Sequence, residues 1–316
     1  MGPTSKREPP PVPARVGDVV RRDAEFDSHG DTCRAWIFTP PAGLSRPLPC
    51  IVMAHGLGGT RDCSLEPYAQ RFARSGFFVV LFDYRRLGAS EGKPPQVIKI
   101  ADEIEDWHAA IAFARTLPGV HAQRIGLWGT SLSGGHVVSV AAKDPAIAAI
   151  SAQCPMLDGA ASARLYRRNV GPLAMVKLAG AALLDTLHAL LGRCPCYVPL
   201  VAPPGKLAAM ATKDAYTGLM AITPPGWRNE VGARLFFSLP FYRPLRNAKN
   251  VECPTLLISC AKDSVASPQA AAKAAERIAG PVRLIELPIG HFDIYVGEWF
   301  KVSSEAQLAF FTEALR

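Results

Sequence analysis

The side chain best placed for covalent chemistry is Ser131, in the run Gly-Thr-Ser-Leu-Ser-Gly-Gly at 129–135. The apolar run 124–129 predicts a buried strand, and the small residues after Ser131 predict the start of a helix. A serine on such a turn exposes its hydroxyl, and the residues two positions away must be small because the backbone is crowded. Gly129 meets this need, whereas Ser133 stands where glycine is usual. The pattern favours a nucleophilic serine, although an ordinary Gly/Ser turn would also fit it.

Two further residues could activate that hydroxyl. Asp263 and His291 each follow an apolar, strand-like run in the C-terminal part of the chain. We expect His291 to take the proton from Ser131 and Asp263 to orient the imidazole and stabilise its charged form. Asp158, which follows another strand-like run, is the alternative acid, whereas Asp293 is too close in sequence to His291 to be preferred.

A glycine-rich loop at 55–59, His-Gly-Leu-Gly-Gly, follows an earlier apolar run. Such a loop lets backbone N–H groups point at an oxyanion that develops during attack on a carbonyl group. We expect the N–H groups of Leu57 and Leu132 to be the two donors. His55 is interpreted as a structural residue that holds this loop.

Strand-like and helix-like segments alternate over most of the chain. Continuous apolar strands separated by helices predict an α/β fold with a mostly parallel central sheet that is covered on both faces by helices. The expected strands are 18–27, 32–39, 50–54, 77–82, 124–129, 147–152, 254–260 and 281–287. The expected helices are 65–75, 100–117, 131–143, 267–279 and 304–315.

The alternation stops in the segment 155–249, where ten prolines occur and helical stretches replace clear strands. We predict that this segment is an inserted, mainly helical cap. The core would then be formed by 18–154 and 250–316. Five prolines among the first thirteen residues make 1–17 a flexible lead without a core of its own.

The most apolar part of the predicted cap, 170–192, is long enough to raise the question of a membrane span. A span needs about 20 nearly uncharged residues, and Lys177, Asp185 and His188 interrupt this stretch. We therefore expect no membrane span and interpret the stretch as a cap helix packed over a pocket.

The net charge of +8 is concentrated in one part of the chain. Residues 155–249 contain 12 Lys or Arg against 4 Asp or Glu, while the remaining residues balance at 23 against 23. The excess is either a solvated basic surface or an attraction for an anionic substrate, a phosphorylated carrier or an acidic partner. No nucleic-acid partner is expected, because the basic residues are dispersed and no binding motif accompanies them.

The eight cysteines are scattered, and several lie in apolar runs where buried free thiols are common. Cys194 and Cys196 form only a Cys-x-Cys pair without a histidine pair at zinc spacing nearby, so no metal site is expected. Free thiols, together with an N-terminus that lacks the apolar stretch of a secretory signal, predict a cytoplasmic protein.

From about residue 18 to the C-terminus the chain resembles the α/β-hydrolase superfamily. It is similar to bacterial serine hydrolases near the Xaa-Pro dipeptidyl-peptidase-like, serine aminopeptidase-like and dienelactone hydrolase-like groups. The chain order serine, aspartate, histidine is that of this fold. The motifs that carry the resemblance are HGLGGTRD (55–62), FDYRRLGASEG (82–92), GTSLSGG (129–135), AKD (261–263) and GHFDIY (290–295). The predicted cap matches no specific pattern, so the resemblance implies a mechanism rather than a substrate.

Members of these groups include esterases, thioesterases, peptidases and polyketide acyltransferases. We expect hydrolysis of a carboxylic ester or thioester through an acyl-enzyme on Ser131, with no metal and no cofactor. The expected partner is a small-molecule acyl substrate, which the basic segment allows to be anionic. Acyl transfer to an alcohol or amine is the alternative, and a peptidase or a non-catalytic ligand sensor is less favoured. The sequence leaves the oligomeric state open, a homodimer included.

Overall fold

The computed structural model describes residues 18–315, so the lead predicted at 1–17 lies outside the described residues. In this part of the chain the strands are β1 (Val20–Ser28), β2 (Asp31–Thr39), β3 (Leu48–Ala54), β4 (Phe78–Phe82), β5 (Val120–Thr130), β6 (Ala149–Gln153), β7 (Tyr197–Val198), β8 (Val231–Gly232), β9 (Thr255–Cys260) and β10 (Val282–Leu287). The central sheet has the order β1-β2-β4-β3-β5-β6-β9-β10, and β7 pairs separately with β8.

The central sheet is mostly parallel. The strands β1, β2 and β4 are joined by antiparallel pairing, and every pair from β4 to β10 along the sheet is parallel. Strand β4 shows why, since Phe-Val-Val-Leu-Phe is buried at every position and therefore needs cover on both faces. The carboxyl ends of β3, β5, β9 and β10 consequently meet at one edge of the sheet.

Helices cover both faces of this sheet, so the fold predicted from the sequence is confirmed. In the described residues they are α1 (Glu66–Arg74), α2 (Ile100–Thr116), α3 (Leu132–Ala141), α4 (Gly159–Val170), α5 (Pro172–Leu190), α6 (Lys213–Ile222), α7 (Leu235–Ser238), α8 (Pro268–Ala275) and α9 (Gly297–Leu315). Tyr68 of α1 and Phe311 of α9 lie in the core on one face. Trp107 of α2, Val137 of α3 and Ala270 of α8 lie in the core on the other.

The last helix begins at Gly297, so the start predicted near residue 304 is wrong. The apolar period is interrupted in α9 because its first buried positions are polar. Ser303 lies 3.1 Å, Oγ to hydroxyl, from Tyr68, and Gln307 donates through Nε2 to Oε1 of Gln153 at 3.0 Å. Hydrogen bonds therefore replace apolar contacts at these positions.

The segment between β6 and β9 contains α4 to α7, the β7–β8 pair and three short 3-10 helices. The division into a core and a cap at 155–249 stays a prediction, but the helical character expected for this segment is what the structure has. Helix α4 packs on α5 and on the 3-10 helix Leu239–Phe241, and α5 also packs on α7. These helices lie together beside the carboxyl edge of the sheet.

A buried ion pair fixes α5 to the chain that follows it. Oδ1 of Asp185 accepts the N–H of Cys196 at 2.7 Å and Nη2 of Arg234 at 2.8 Å. Oδ2 accepts the N–H of Arg234 at 2.7 Å and its Nε at 2.9 Å. Burial raises the pKa of Asp185, but the hydrogen bonds from Arg234 and Cys196 lower it by a larger amount. The pKa therefore lies below its usual range. The charge that interrupts the apolar stretch therefore has a structural partner.

Helix α5 is the one helix in residues 18–315 that is long and apolar enough to cross a membrane by length and composition alone. Only 17% of the most apolar stretch of this helix is buried inside the molecule. Leu178, Ala182 and Asp185 are buried, whereas most other positions are open to solvent. The stretch interpreted as a packed cap helix is therefore covered on one side only.

Replacing Asp185 by alanine should lower the free energy of unfolding by about 3 kcal/mol, because Arg234 and the N–H of Cys196 lose their acceptor. Urea denaturation followed by circular dichroism measures this change. Lys177→Ala on the exposed side of the same helix is the control and should change stability by less than about 0.5 kcal/mol. Equal losses in the two variants would contradict the role of the ion pair.

Candidate active site

Ser131 lies where β5 turns into α3. Its φ of +56° and ψ of −119° are values that residues with a side chain rarely adopt. The N–H of Ser131 donates to the carbonyl oxygen of Gln153 at 2.9 Å, which ties the turn to β6. A Cβ on Gly129 would lie 2.2 Å from the carbonyl oxygen of Ser133, so only glycine fits there. The turn presents the Ser131 side chain at the carboxyl edge of the sheet.

The serine that replaces the usual glycine, Ser133, is fully buried and has a partner. Its Oγ lies 2.7 Å from the hydroxyl of Tyr84, which also accepts Nε1 of Trp107 at 2.8 Å. These two side-chain hydrogen bonds, Trp107–Tyr84 and Tyr84–Ser133, join α2, the loop after β4 and α3. Ser133 therefore has a structural reason to differ from glycine, which local sequence could not reveal because Tyr84 is 49 residues away.

His291 and Asp263 lie beside Ser131 at the same edge. Nε2 of His291 is 3.0 Å from Oγ of Ser131, and Nδ1 is 2.6 Å from Oδ2 of Asp263. Asp263 follows β9 and His291 follows β10, and the parallel pairing of these strands places the two loops side by side. The structure brings together the three side chains that the sequence analysis singled out, in an order in which His291 can accept the serine proton.

The groups around His291 bear on the charge of its imidazole. His291 is buried and Asp263 nearly so. Burial lowers the pKa of His291, but the carboxylate of Asp263 and the neighbouring sulfur of Cys154 raise it, and the net direction is well above the usual histidine value. Oδ1 of Asp263 is itself held by the N–H groups of Val265 and Ala266, both at 2.7 Å. Asp263 is thus fixed beside Nδ1 of His291, a position from which a carboxylate can stabilise an imidazolium.

The alternative acid, Asp158, has a different position and different partners. It is the N-cap of α4, where Oδ1 accepts the N–H of Ala161 at 3.0 Å. Oδ2 accepts Nη2 of Arg243 at 2.7 Å and Nε at 3.1 Å. The hydrogen-bond partner of His291 is Asp263, so Asp158 is a helix-capping residue in this fold.

The two N–H groups expected to bind an oxyanion belong to residues that flank Ser131. Leu57 and Leu132 both line the pocket that Ser131 opens into. Leu132 is the first residue of α3, and the first N–H of a helix has no partner within that helix. A Cβ on Gly56 would lie 2.7 Å from Cβ of Ser131, so the loop carrying Leu57 approaches the serine closely. This placement suits a role as donors, which stays a prediction.

His55 is buried beneath that loop. Its Nδ1 lies 2.9 Å from the carbonyl oxygen of Gly56, and its ring meets Tyr84 edge-on with the centroids 4.8 Å apart. Burial lowers the pKa of His55, so the neutral ring is favoured. These contacts fit the structural interpretation made from the sequence.

Sequence reasoning missed a thiol behind the imidazole. Sγ of Cys154 lies 4.0 Å from Nε2 of His291 and 3.7 Å from the hydroxyl of Tyr295. The Tyr295 hydroxyl also lies 2.5 Å from Oγ1 of Thr130, the residue before Ser131. The available signal was position, because Cys154 follows β6 directly and the carboxyl ends of parallel strands share one edge.

An apolar pocket of about 360 Å³ opens beside Ser131. No Asp, Glu, Lys, Arg or His from the described part of the chain lines it. Its walls come from the loop after β3, from α4 and α5, and from the segment around α7. The larger side chains are Leu57, Met156, Tyr166, Met175, Leu178, Met210, Phe236 and Leu239. A pocket of this kind receives an apolar group while Ser131 remains at its end.

Metal ligands do not cluster in the part of the chain that the structure describes. Between residues 18 and 315, no group of three or more His, Cys, Asp or Glu side chains could hold a metal ion. In the Cys-x-Cys pair, Sγ of Cys196 lies 3.4 Å from Nδ1 of His188. Its neighbour Cys194 is exposed.

Solved structures share this architecture. The crystal structure of alpha/beta hydrolase GrgF from Penicillium sp. sh18 superposes with a TM-score of 0.79 over 94% of this chain and 99% of that chain, at 24% identity. The sheet order, the strand–turn–helix at Ser131 and this likeness define the class, an α/β hydrolase.

Residues 29–193 match the model of the X-Pro dipeptidyl-peptidase (S15) family, and the chain belongs to that family. The quorum-quenching protein AidA of Acinetobacter baumannii (strain MDR-ZJ06) is 40% identical over 290 residues, which are 91% of this chain and 93% of the relative. Two fungal relatives are each 27% identical. They are thiohydrolase aneE of Aspergillus aculeatus, over 84% of this chain and 86% of the relative, and polyketide transferase af380 of Aspergillus fumigatus, over 93% and 99%. The resemblance to α/β hydrolases predicted from the motifs is confirmed.

Replacing Ser133 by glycine, which creates the usual pattern around Ser131, should destabilise the fold rather than improve it. The Tyr84 hydroxyl loses its partner, at about 1–2 kcal/mol, and glycine in a helix costs about 1 kcal/mol more. Ser133→Ala should show the first loss without the second. Urea titrations of the two variants give both numbers, and a glycine variant as stable as the native chain would refute the hydrogen bond's contribution.

Proposed function

We propose that this enzyme of the α/β-hydrolase type is a serine hydrolase that cleaves a carboxylic ester or thioester through an acyl-enzyme on Ser131. The observation that carries the proposal is the hydrogen-bonded series Ser131–His291–Asp263, with distances of 3.0 and 2.6 Å, at the end of an apolar pocket. An aspartate nucleophile would instead favour a dehalogenase or an epoxide hydrolase.

In the first half of the reaction, Oγ of Ser131 attacks the carbonyl carbon while its proton passes to Nε2 of His291. The oxyanion accepts hydrogen bonds from the N–H groups of Leu57 and Leu132. Collapse of the tetrahedral intermediate breaks the carbon–oxygen or carbon–sulfur bond. The leaving alcohol or thiol takes the proton from His291, and the acyl group stays on the serine.

In the second half, water attacks the acyl-enzyme and gives its proton to His291. The new tetrahedral intermediate collapses to a carboxylic acid, and the proton returns to Oγ of Ser131. Asp263 remains an ionised carboxylate throughout and stabilises the imidazolium. Neither half needs a metal ion or a cofactor.

The pocket supports an acyl substrate whose apolar chain is of medium length. Its volume of about 360 Å³ is near the lower end of the range for ligand pockets, and its large lining side chains are aliphatic or aromatic. An anionic acyl group is disfavoured there because no cation lines the described walls. A peptide amine is disfavoured for the matching reason that no carboxylate lines them. The name of the relative thiohydrolase aneE fits a thioester.

Acyl transfer to an alcohol or amine is the second candidate, favoured by the similarity to polyketide transferase af380 over 93% of this chain. The two functions share the acyl-enzyme and differ only in the acceptor. Purified enzyme given an acyl thioester in water with increasing concentrations of an alcohol decides between them. Free acid as the main product at every alcohol concentration supports the hydrolase, whereas new ester that outpaces acid supports the transferase.

Ser131→Ala should reduce kcat/KM for an acyl ester by at least about 10³-fold while the fold is retained. A fluorophosphonate should form one adduct on the native chain, and mass spectrometry of peptides should locate it on Ser131. Ser133→Ala is the matched control, since that hydroxyl is buried against Tyr84 and should leave labelling intact. Folded, active enzyme without an adduct on Ser131 would exclude the proposal.

Asp263→Asn and Asp158→Asn should separate orientation of the histidine from helix capping. The first removes the carboxylate from Nδ1 of His291 and should lower kcat by about 10³- to 10⁴-fold. The second removes charge from a cap paired with Arg243 and should change stability more than kcat. Steady-state kinetics together with thermal melting tests this difference. The reverse ranking of the two kcat values would make Asp158 the acid.

A further inference from the structure

A second cavity, of about 480 Å³, lies on the other side of α4 from the apolar pocket. Cationic side chains from three parts of the chain converge on it. They are Arg164, Arg168, Arg243, Arg246, Lys273 and Arg277. Asp158 is the single carboxylate among the described residues that line this basic cavity.

Most of this positive charge is not neutralised within the molecule. Arg243 pairs with Asp158, Nη2 to Oδ2, at 2.7 Å. In residues 18–315, the other five cations have no carboxylate oxygen within 4.0 Å. Like charges around one cavity repel each other, and folding holds them together at a cost that a bound anion would remove.

Neutral groups in the basic cavity also suit an anion. The N-terminus of α8 opens into it through Ser267, Gln269 and Ala270. The positive end of a helix dipole favours negative charge. The Ser267 hydroxyl and the Gln269 amide, 3.0 Å apart, add hydrogen-bonding groups beside the cations.

We propose that the basic cavity binds a small molecule carrying two or more linked phosphate groups. A single carboxylate would leave most of the five unpaired cations unneutralised, whereas linked phosphates bring several charges into one small volume. Arginine forks bind phosphate oxygens in pairs, and four of the five unpaired cations are arginines. The cavity volume is that of a small-molecule site rather than of an extended protein surface.

The basic cavity shares α4 with the apolar pocket but not its lining. Ser162, Ala163 and Tyr166 of α4 face the apolar pocket, and Arg164 and Arg168 face the basic cavity. A phosphate ligand therefore contacts the helix that forms a wall of the acyl site without approaching Ser131. The site stands whether or not the proposed hydrolysis is correct.

Isothermal titration calorimetry of the full chain with inorganic pyrophosphate, and separately with orthophosphate, tests this site. Pyrophosphate should bind saturably and at least about tenfold more tightly than orthophosphate. Arg168→Gln and Arg277→Gln should each weaken pyrophosphate binding about tenfold. Arg167→Gln, an exposed change on α4 outside the cavity, should weaken it less than about twofold.

Fluorophosphonate labelling of Ser131 should be unchanged in all three variants, which separates this site from the hydrolase chemistry and shows that the variants are folded. Equal weakening by Arg167→Gln would show attraction by net charge alone and overturn the proposal. No saturable pyrophosphate binding at millimolar concentration, or equal affinity for the two anions, would overturn it as well.

A different observation concerns the uncovered side of α5. Six residues on that side follow the alternating three- and four-residue spacing of a coiled-coil seam. They are Leu173, Val176, Gly180, Leu183, Leu187 and Leu190. All six are exposed, and Leu190 is 78% exposed. A Cβ on Gly180 would meet nothing within 4 Å, so nothing in the described chain fills this position.

We also infer that this seam packs against α5 of a second copy of the chain. Seam spacing is the pattern that helices use against helices, and a two-fold axis supplies an identical helix as partner. Leu184 and Leu191 beside the seam, and Phe237 on neighbouring α7, are exposed too. Together these residues offer on the order of 800 Å² of apolar surface, close to the roughly 800 Å² per partner of a stable interface.

A lipid surface fits α5 less well than a second copy does. Helices that lie on membranes carry several Lys or Arg along the polar face. Lys177 is the single Lys or Arg in α5, and the acidic Asp185 is buried and paired with Arg234.

Sedimentation velocity across about 1–100 μM protein tests the interface at concentrations where standard-size interfaces form. The native chain should be a dimer, and the double variant Leu183→Glu/Leu187→Glu should be a folded monomer. Leu44→Glu, also at an exposed leucine but in the loop after β2, should remain a dimer. A native monomer at every concentration, or a double variant that stays dimeric, would overturn the inference. A native monomer that floats with anionic phospholipid vesicles would assign the face to lipid.

Discussion

The backbone of Ser131 is held at a positive φ by close packing on two sides, and the site depends on that constraint. On one side, the space where Gly129 would carry a Cβ is filled by the carbonyl group of Ser133. On the other, a Cβ on Gly56 would collide with the Ser131 side chain and the carbonyl oxygen of Thr130. Two glycines that are 73 positions apart in the sequence thus enclose one serine between them, Gly56 in the loop after β3 and Gly129 near the end of β5.

Strand register places the other two candidate catalytic side chains beside Ser131. Because β9 and β10 pair in parallel, Asp263 and His291 leave the sheet at one edge, within hydrogen-bond distance of each other. These positions could be predicted from the sequence because each residue directly follows an apolar run, and parallel strands end together. The same reasoning also selected Asp158, and only three-dimensional structure separates the two acids by their partners, Arg243 for one and His291 for the other.

Features that depend on distant contacts could not be predicted. Ser133 reads locally as an imperfect glycine position, and its partner Tyr84 becomes visible only when the sheet is assembled. The start of α9 is hidden because the first buried position of the helix is Ser303, which is held by a hydrogen bond rather than by apolar contacts. Apolar period identifies a helical face but not what covers it, so α5 could be recognised as a helix while its exposure could not.

Helix α4 lies between the apolar pocket and the basic cavity. The sequence shows only that residues 155–249 are basic and does not separate these two surfaces. Its start is pressed against the carbonyl oxygen of Leu239, which a Cβ on Gly159 would approach to 1.9 Å, and Asp158 caps it while pairing with Arg243. The helix is therefore fixed at its N-terminal end, and residues along its length line both cavities. The wall beside Ser131 carries no charged side chain, and the unpaired arginines lie on the other side of α4. The positive charge of the segment consequently lies away from the apolar pocket, so a carbonyl group bound beside Ser131 in the proposed reaction would meet a low-dielectric environment.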